Sequence, residues 1–121
     1  MEPALTIGMA TFRDFGGVYF TLRALRLYQD LQDVELLVVD KEGCADARRF
    51  VESWAQARYV LAKGVVGTAA PRDLAFREAR GRAVLCCGAH VLFSPGAIAR
   101  LKAFHREHPD WRDLLHWPAA P

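Results

Sequence analysis

Apolar and polar positions alternate along this chain with two different periods. Leu5–Ala10, Val34–Val39 and Ala83–Cys87 are short, nearly continuous apolar runs, the pattern of strands buried on both faces. Arg58–Ala62 reads as a further short strand. Between these runs the apolar residues space out by threes and fours. Val18, Leu22, Leu25 and Tyr28 mark one helix, and Phe50, Val51 and Trp54 form the stripe of a second over Cys44–Ala57. A third helix is predicted over Ala69–Arg80, with Pro71 near its first turn, where the missing N–H costs little. A fourth is predicted from Ser94 as N-cap, with Pro95 at its first position, to about His105.

Strand–helix alternation with short connections predicts an α/β domain. The expected architecture is a Rossmann-like three-layer sandwich: a mostly parallel sheet of about four strands in the order 3-2-1-4, with helices on both faces. No repeat, low-complexity tract or internal linker interrupts residues 1–121, and 105–121 reads as an irregular tail. The strand Ala83–Cys87 then lies at a sheet edge, open to the C-terminal segment or to a second copy of the chain. Trp54 is expected in the core; Trp111 and Trp117 are expected to pack over that edge or to meet a partner.

With 121 residues, 52% of them apolar and 25% charged, the composition is that of a single soluble globular domain able to bury a core. The net charge of +2, with basic and acidic residues interleaved, gives no reason to expect nucleic acid or an anionic membrane as partner. Arginines thicken locally at Arg72, Arg77, Arg80 and Arg82, the last three most simply a solvated helix face. Cys44, Cys86 and Cys87 lack the spacing of a disulfide framework. Cys86 and Cys87, adjacent in a strand, point to opposite faces, so reduced thiols in a cytoplasmic protein are the expectation. The start, MEPALTIGMATF, lacks the basic opening of a secretion signal, and no segment approaches the length of a membrane span.

Polar breaks close the apolar strands, and in a parallel sheet ligands sit at those carboxyl ends. The first strand stops at Thr11-Phe12-Arg13-Asp14, the second at Asp40, and Ala83–Cys87 at Gly88-Ala89-His90. An acid closing an apolar strand is costly in a core and sensible at a ligand crevice; otherwise Asp40 is a solvated turn residue or a helix cap. Cys86, Cys87 and His90 do not make a zinc set, because the strand splits the cysteines and a fourth ligand is missing.

Four segments, in order and at suitable spacing over roughly residues 5 to 105, resemble family 2 glycosyltransferases. LTIGMATFRDF resembles the family's first strand and loop, and VELLVVDKEGCAD its second strand ending in an acid. GVVGTAAPRDLAFREARGRAVL resembles the Gly-x-x-x-Ala-Arg-Asn segment and its helix. CCGAHVLFSPGAIARL resembles the metal-motif strand end, Asp-x-Asp or Asp-x-His, and the Pro-Gly helix start. The resemblance implies the A-type glycosyltransferase fold and binding of a nucleotide-sugar, a UDP- or GDP-sugar, for transfer to an acceptor. It also implies a divalent metal, Mn or Mg, on the diphosphate, where a cation offsets the charge of the leaving group.

Carried onto this sequence, the resemblance implies that Thr11, Phe12 and Arg13 line the nucleobase pocket and that Asp40 binds base or ribose. Gly67, Arg72, Asp73, Gly88 and Ala89 would border the donor. Arg72 would approach the diphosphate, or else pair with Asp73, Asp40 or Asp46. His90 aligns with the second metal ligand, an imidazole suited to a transition metal, and otherwise is a lone surface histidine. Gly88 stands where the first acid is expected. The family's acceptor half, with the usual catalytic base, is expected after the Pro-Gly helix, so the expectation is a truncated donor-binding domain over 1–121 with no catalytic residue assigned. A non-catalytic nucleotide-binding or interaction module is the alternative. An unrelated flavodoxin-like or signalling domain would want an acidic cluster or phosphate loop after the first strand, where TFRDFGG offers only Asp14.

Overall fold

The structure is a computed structural model that describes residues 2–62 and 69–112. Strands β1 (Leu5–Thr11), β2 (Val34–Asp40), β3 (Ala57–Leu61) and β4 (Ala83–Gly88) alternate with helices α1 (Phe15–Tyr28), α2 (Ala45–Glu52), α3 (Ala69–Glu78) and α4 (Ala97–Glu107). All strand pairs are parallel, in the order β3-β2-β1-β4. The sheet order and class expected from the sequence are those observed.

Two cores hold the helices on opposite faces. Leu5, Ile7 and Met9 of β1 and Val34, Leu36 and Val38 of β2 pack with residues of α1, α2 and α4, including Leu22, Val51 and Ile98. The alternate residues Leu37 and Val39 pack on the other face with Ala62 and with Ala75 of α3. This is the period of two that a strand imposes on its side chains. It also separates Cys87, in the first core, from Cys86, in the second. Gly8 lets α3 close on β1: a Cβ there would lie 3.1 Å from the Cβ of Ala75.

Several element ends differ from the sequence expectation, by one or two residues at β3, at the end of α3 and at the end of α4, and three others have a plain local cause. α1 begins at Phe15, three residues before Val18, because the Asp14 carboxylate accepts a hydrogen bond from the Gly17 N–H at 2.9 Å and caps the helix. α2 stops at Glu52 rather than Ala57. The Ser53 N–H bonds back to Arg49 and Phe50, and Gln56 is drawn off to β2, its carbonyl accepting from the Leu36 N–H at 3.0 Å. Ser94 is not the cap of α4. Its carbonyl accepts from the Ala97 N–H at 3.0 Å, so Ser94-Pro95-Gly96-Ala97 is a type II turn, with Gly96 at φ 80° as the residue that enters the helix.

A buried polar cluster at the amino ends of the strands ties α3 to the sheet. Glu35 of β2 accepts hydrogen bonds from the Thr6 hydroxyl (2.8 Å), the Arg80 N–H (2.9 Å) and the Arg58 guanidinium (2.9 Å). Thr6 in turn accepts from the Gly81 N–H at 2.9 Å. Burial works to raise the Glu35 pKa, but these donors outweigh it and hold the carboxyl below its ordinary value.

β4 pairs with β1 alone among the described residues. Trp54 is half-buried against the first core, as expected. The Trp111 ring packs 5.3 Å from that of Phe104, near the end of α4. Trp117 lies outside the described residues.

Candidate functional site

The carboxyl ends of β1, β2 and β4 meet where the strand order reverses, between β1 and β4. This is the switch point at which parallel sheets open a crevice. Register places Thr11 beside Asp40, and the Lys41 N–H donates to the Thr11 carbonyl at 3.0 Å. Thr11 is buried, yet its Oγ1 has no hydrogen-bond partner among the described residues. Buried hydroxyls are nearly always paired, so this one is an unfilled donor and acceptor beneath the carboxyl end of β1.

Asp40 is 2% exposed and fully engaged. One carboxylate oxygen accepts from the Glu42 N–H at 3.1 Å, the Asx-type turn bond, and the other from the Tyr59 hydroxyl. Tyr59 also accepts from the Cys44 N–H at 3.3 Å, so one phenol joins the ends of β2 and β3 to the start of α2. Burial and the hydrogen bond to Asp40 push the Tyr59 pKa up to about 12. Sequence reasoning missed Tyr59. The signal was register: Val38 pairs with Tyr59, which leaves a phenol long enough to reach one step further along the sheet.

Phe12 is half-exposed, with the Arg13 guanidinium 5.2 Å and the Lys41 ammonium 5.3 Å from its ring centre. Arg13, at φ 52°, ion-pairs with Glu42 on the surface. That pairing turns Arg13 to the acid after β2. Lys41 and Glu42 thus join the rim, although neither stood out in the sequence.

On the β4 side, Gly88 lies in open space, where an added Cβ would meet no atom within 4 Å. Ala89 is buried, and its carbonyl accepts from the Thr21 hydroxyl of α1. His90 is exposed and its Nε2 contacts the Asp14 carboxylate, so one bond spans the switch point from β4's loop to the cap of α1. Arg72 is exposed on α3, near Cys86; burial raises the Cys86 pKa and the Arg72 charge opposes it. Asp73 pairs with Arg77 at 2.9 Å and Asp46 with Arg49, so neither pairs with Arg72. Gly67 lies outside the described residues.

These residues do not fit a divalent cation. Gly88 has no side chain to offer, the His90 nitrogen is turned to Asp14, and no three His, Cys, Asp or Glu side chains converge among the described residues.

The sequence profile of Glycosyl transferase family 2 matches residues 6–111. The chain belongs to glycosyltransferase family 2. No curated protein is a significant sequence match. Solved glycosyltransferase structures share its fold. Staphylococcus aureus TarS 1–349 superposes with a TM-score of 0.70 at 17% identity, covering 96% of this chain and 39% of that one. The same protein in complex with UDP gives 0.68 at 18% identity, covering 90% and 33%. A mannosyltransferase, PcManGT from Pyrobaculum calidifontis, in complex with GDP-Man and Mn2+, gives 0.61 at 22% identity, covering 77% and 29%. The chain thus spans about a third of the length of these structures, and at such identities the likeness is one of fold.

Proposed function

We propose that this family 2 domain binds the nucleotide part of a nucleotide-sugar, a UDP- or GDP-sugar, at the carboxyl ends of β1, β2 and β4. The single observation that carries the reading is the buried, unpartnered Thr11 hydroxyl beside Asp40 at the switch point. A ligand that reaches Thr11 Oγ1 completes a hydrogen bond the fold leaves unmade, and Phe12 offers a face for a base to stack on.

In this reading Asp40, held by the Glu42 N–H and the Tyr59 hydroxyl, sets the loop after β2 and so shapes the rim that meets base or ribose. Arg72 supplies positive charge on the β4 side, and the backbone at Gly88-Ala89 lets a sugar approach without a side chain in the way. The neighbour bound to GDP-Man and the neighbour bound to UDP support this choice of ligand class.

One neighbour is solved with Mn2+. Because the residues here do not fit Mn or Mg, we propose donor binding through protein groups alone and assign no catalytic residue to this chain. That arrangement also favours the second reading, a nucleotide-binding module without transferase activity of its own. The free thiols of Cys44, Cys86 and Cys87 support a cytoplasmic setting. No helix among the described residues is long and apolar enough to cross a membrane.

Calorimetric titration of the chain with UDP- and GDP-sugars, with and without Mn2+, tests the proposal. Saturable binding indifferent to Mn2+ supports it, and absence of binding by either nucleotide overturns it.

A further inference from the structure

α1 carries its core residues Val18, Leu22 and Leu25 on one side and large apolar residues on the other. Phe20 is 71% exposed and Leu27 74%, seven residues apart on the outermost line of the helix. Ala24, between them, borders the loop after β4, where Leu92 is 75% exposed. Isolated exposed leucines need no explanation, but two large apolar side chains on one line of a helix, with a third on the loop beside it, form a patch.

Charge surrounds this patch on both sides. Arg23 and Arg26 follow the α2-facing side of α1, held over the rings of Tyr19 (5.4 Å) and Trp54 (5.5 Å). Arg100 stands on the other side, its guanidinium on the Ser94 hydroxyl at 3.4 Å. None of these three arginines pairs with a carboxylate among the described residues. The nearby acids are committed elsewhere: Asp30 to Lys102 at 3.2 Å, Glu52 to Arg48 at 2.8 Å. Beside Arg23 and Arg26 lies an open groove of about 640 Å³, bordered by Phe50 and Trp54.

We propose that this outer face of α1 docks on an anionic lipid surface. Phe20, Leu27 and Leu92 would enter the interface, and Arg23, Arg26 and Arg100 would meet lipid phosphates. Apolar residues bordered by unpaired arginines, with a tryptophan at the margin, are what an interfacial helix needs. The overall charge of +2 hides the feature, because it counts acids that are already paired. The face lies on the helical layer, so docking leaves Thr11 and Asp40 at the strand ends open.

Sedimentation of the full chain with vesicles tests this, using phosphatidylcholine alone and phosphatidylcholine mixed with phosphatidylglycerol. Binding to the anionic vesicles, weakened by added salt, is expected. Phe20→Ser with Leu27→Ser should weaken it at least about tenfold, given about tenfold per large apolar side chain inserted, and separately Arg23→Gln with Arg26→Gln at least about tenfold, given about fivefold per surface arginine. All four positions are exposed, and circular dichroism checks that the variants fold. No binding to anionic vesicles, or binding unchanged in both double variants, overturns the proposal. So does a chain that ignores vesicles but self-associates in a way Phe20→Ser with Leu27→Ser abolishes, which would make the face a protein interface.

Discussion

The Tyr59 hydroxyl donates to the carboxylate of Asp40 across the ends of β3 and β2, and the same oxygen accepts from the Cys44 N–H. Through this pair, three backbone segments around the candidate site share one side-chain contact. We expect Tyr59→Phe to leave Asp40 buried without its hydroxyl partner and to lower stability by about 1–3 kcal/mol, the cost of an unsatisfied buried group. Urea denaturation of both proteins measures it. An unchanged midpoint would show that Asp40 finds another donor.

The Glu35 cluster gives a pH dependence with a definite sign. Burial alone would raise its pKa, yet the Arg80 N–H, Thr6 and Arg58 bring the folded value below the ordinary one. A carboxyl depressed in the folded state contributes stability that is complete above its unfolded pKa, about 4.3. That contribution fades as pH falls through the folded value. Glu35→Gln should therefore be less stable than the native chain at pH 7, with the gap narrowing below about pH 4. Denaturation midpoints across that range check it, and a gap that widens on acidification would be the wrong sign.

Gly81 sits where backbone meets backbone. A Cβ there would lie 2.6 Å from the Thr6 nitrogen and 2.7 Å from the Leu5 carbonyl carbon, neither of which can swing aside. Gly81→Ala should cost about 1–3 kcal/mol by overpacking, read as a lowered urea midpoint. The same change at Gly88, which meets nothing, should be close to neutral.

Gly88→Asp asks what the β4 turn lacks. The position has room for a carboxylate, and His90 and Asp14 are already bonded to one another beside it. We expect this variant to gain Mn2+ affinity, seen as a metal-dependent rise in melting temperature that the native chain does not show. Equal response to Mn2+ in both proteins would contradict the assignment of this turn.

Most of the fold was legible because the apolar runs Leu5–Ala10 and Val34–Val39 are short, nearly continuous and closed by polar breaks, the pattern of strands buried on two faces. Short connections then left few topologies. The ends were less legible, for local reasons. Asp14 could be read as a loop acid until its bond to Gly17 made it a cap, and Ser94 looked like a cap until Pro95-Gly96 formed a turn. In the site, Thr11 and Asp40 could be placed from the end-of-strand rule. Tyr59 could not, because its reach to Asp40 depends on the β2–β3 register, which no single segment encodes. The Arg13–Glu42 pair and the His90–Asp14 contact likewise join residues far apart in sequence. The exposed line of α1 was written in its periodicity, but Phe20 and Leu27 fell outside the stripe that identified the helix.

The most direct test of the central proposal is calorimetric titration of UDP- and GDP-sugars into the native chain and into Thr11→Val. Removing a buried hydroxyl that has no partner should leave the fold as stable as before or slightly more so. The expected result is metal-indifferent, saturable binding of one nucleotide-sugar by the native chain, weakened about tenfold or more in Thr11→Val, as loss of a hydrogen bond to a charged or polar ligand does. Equal affinity in the two proteins, or no binding by the native chain, would contradict it.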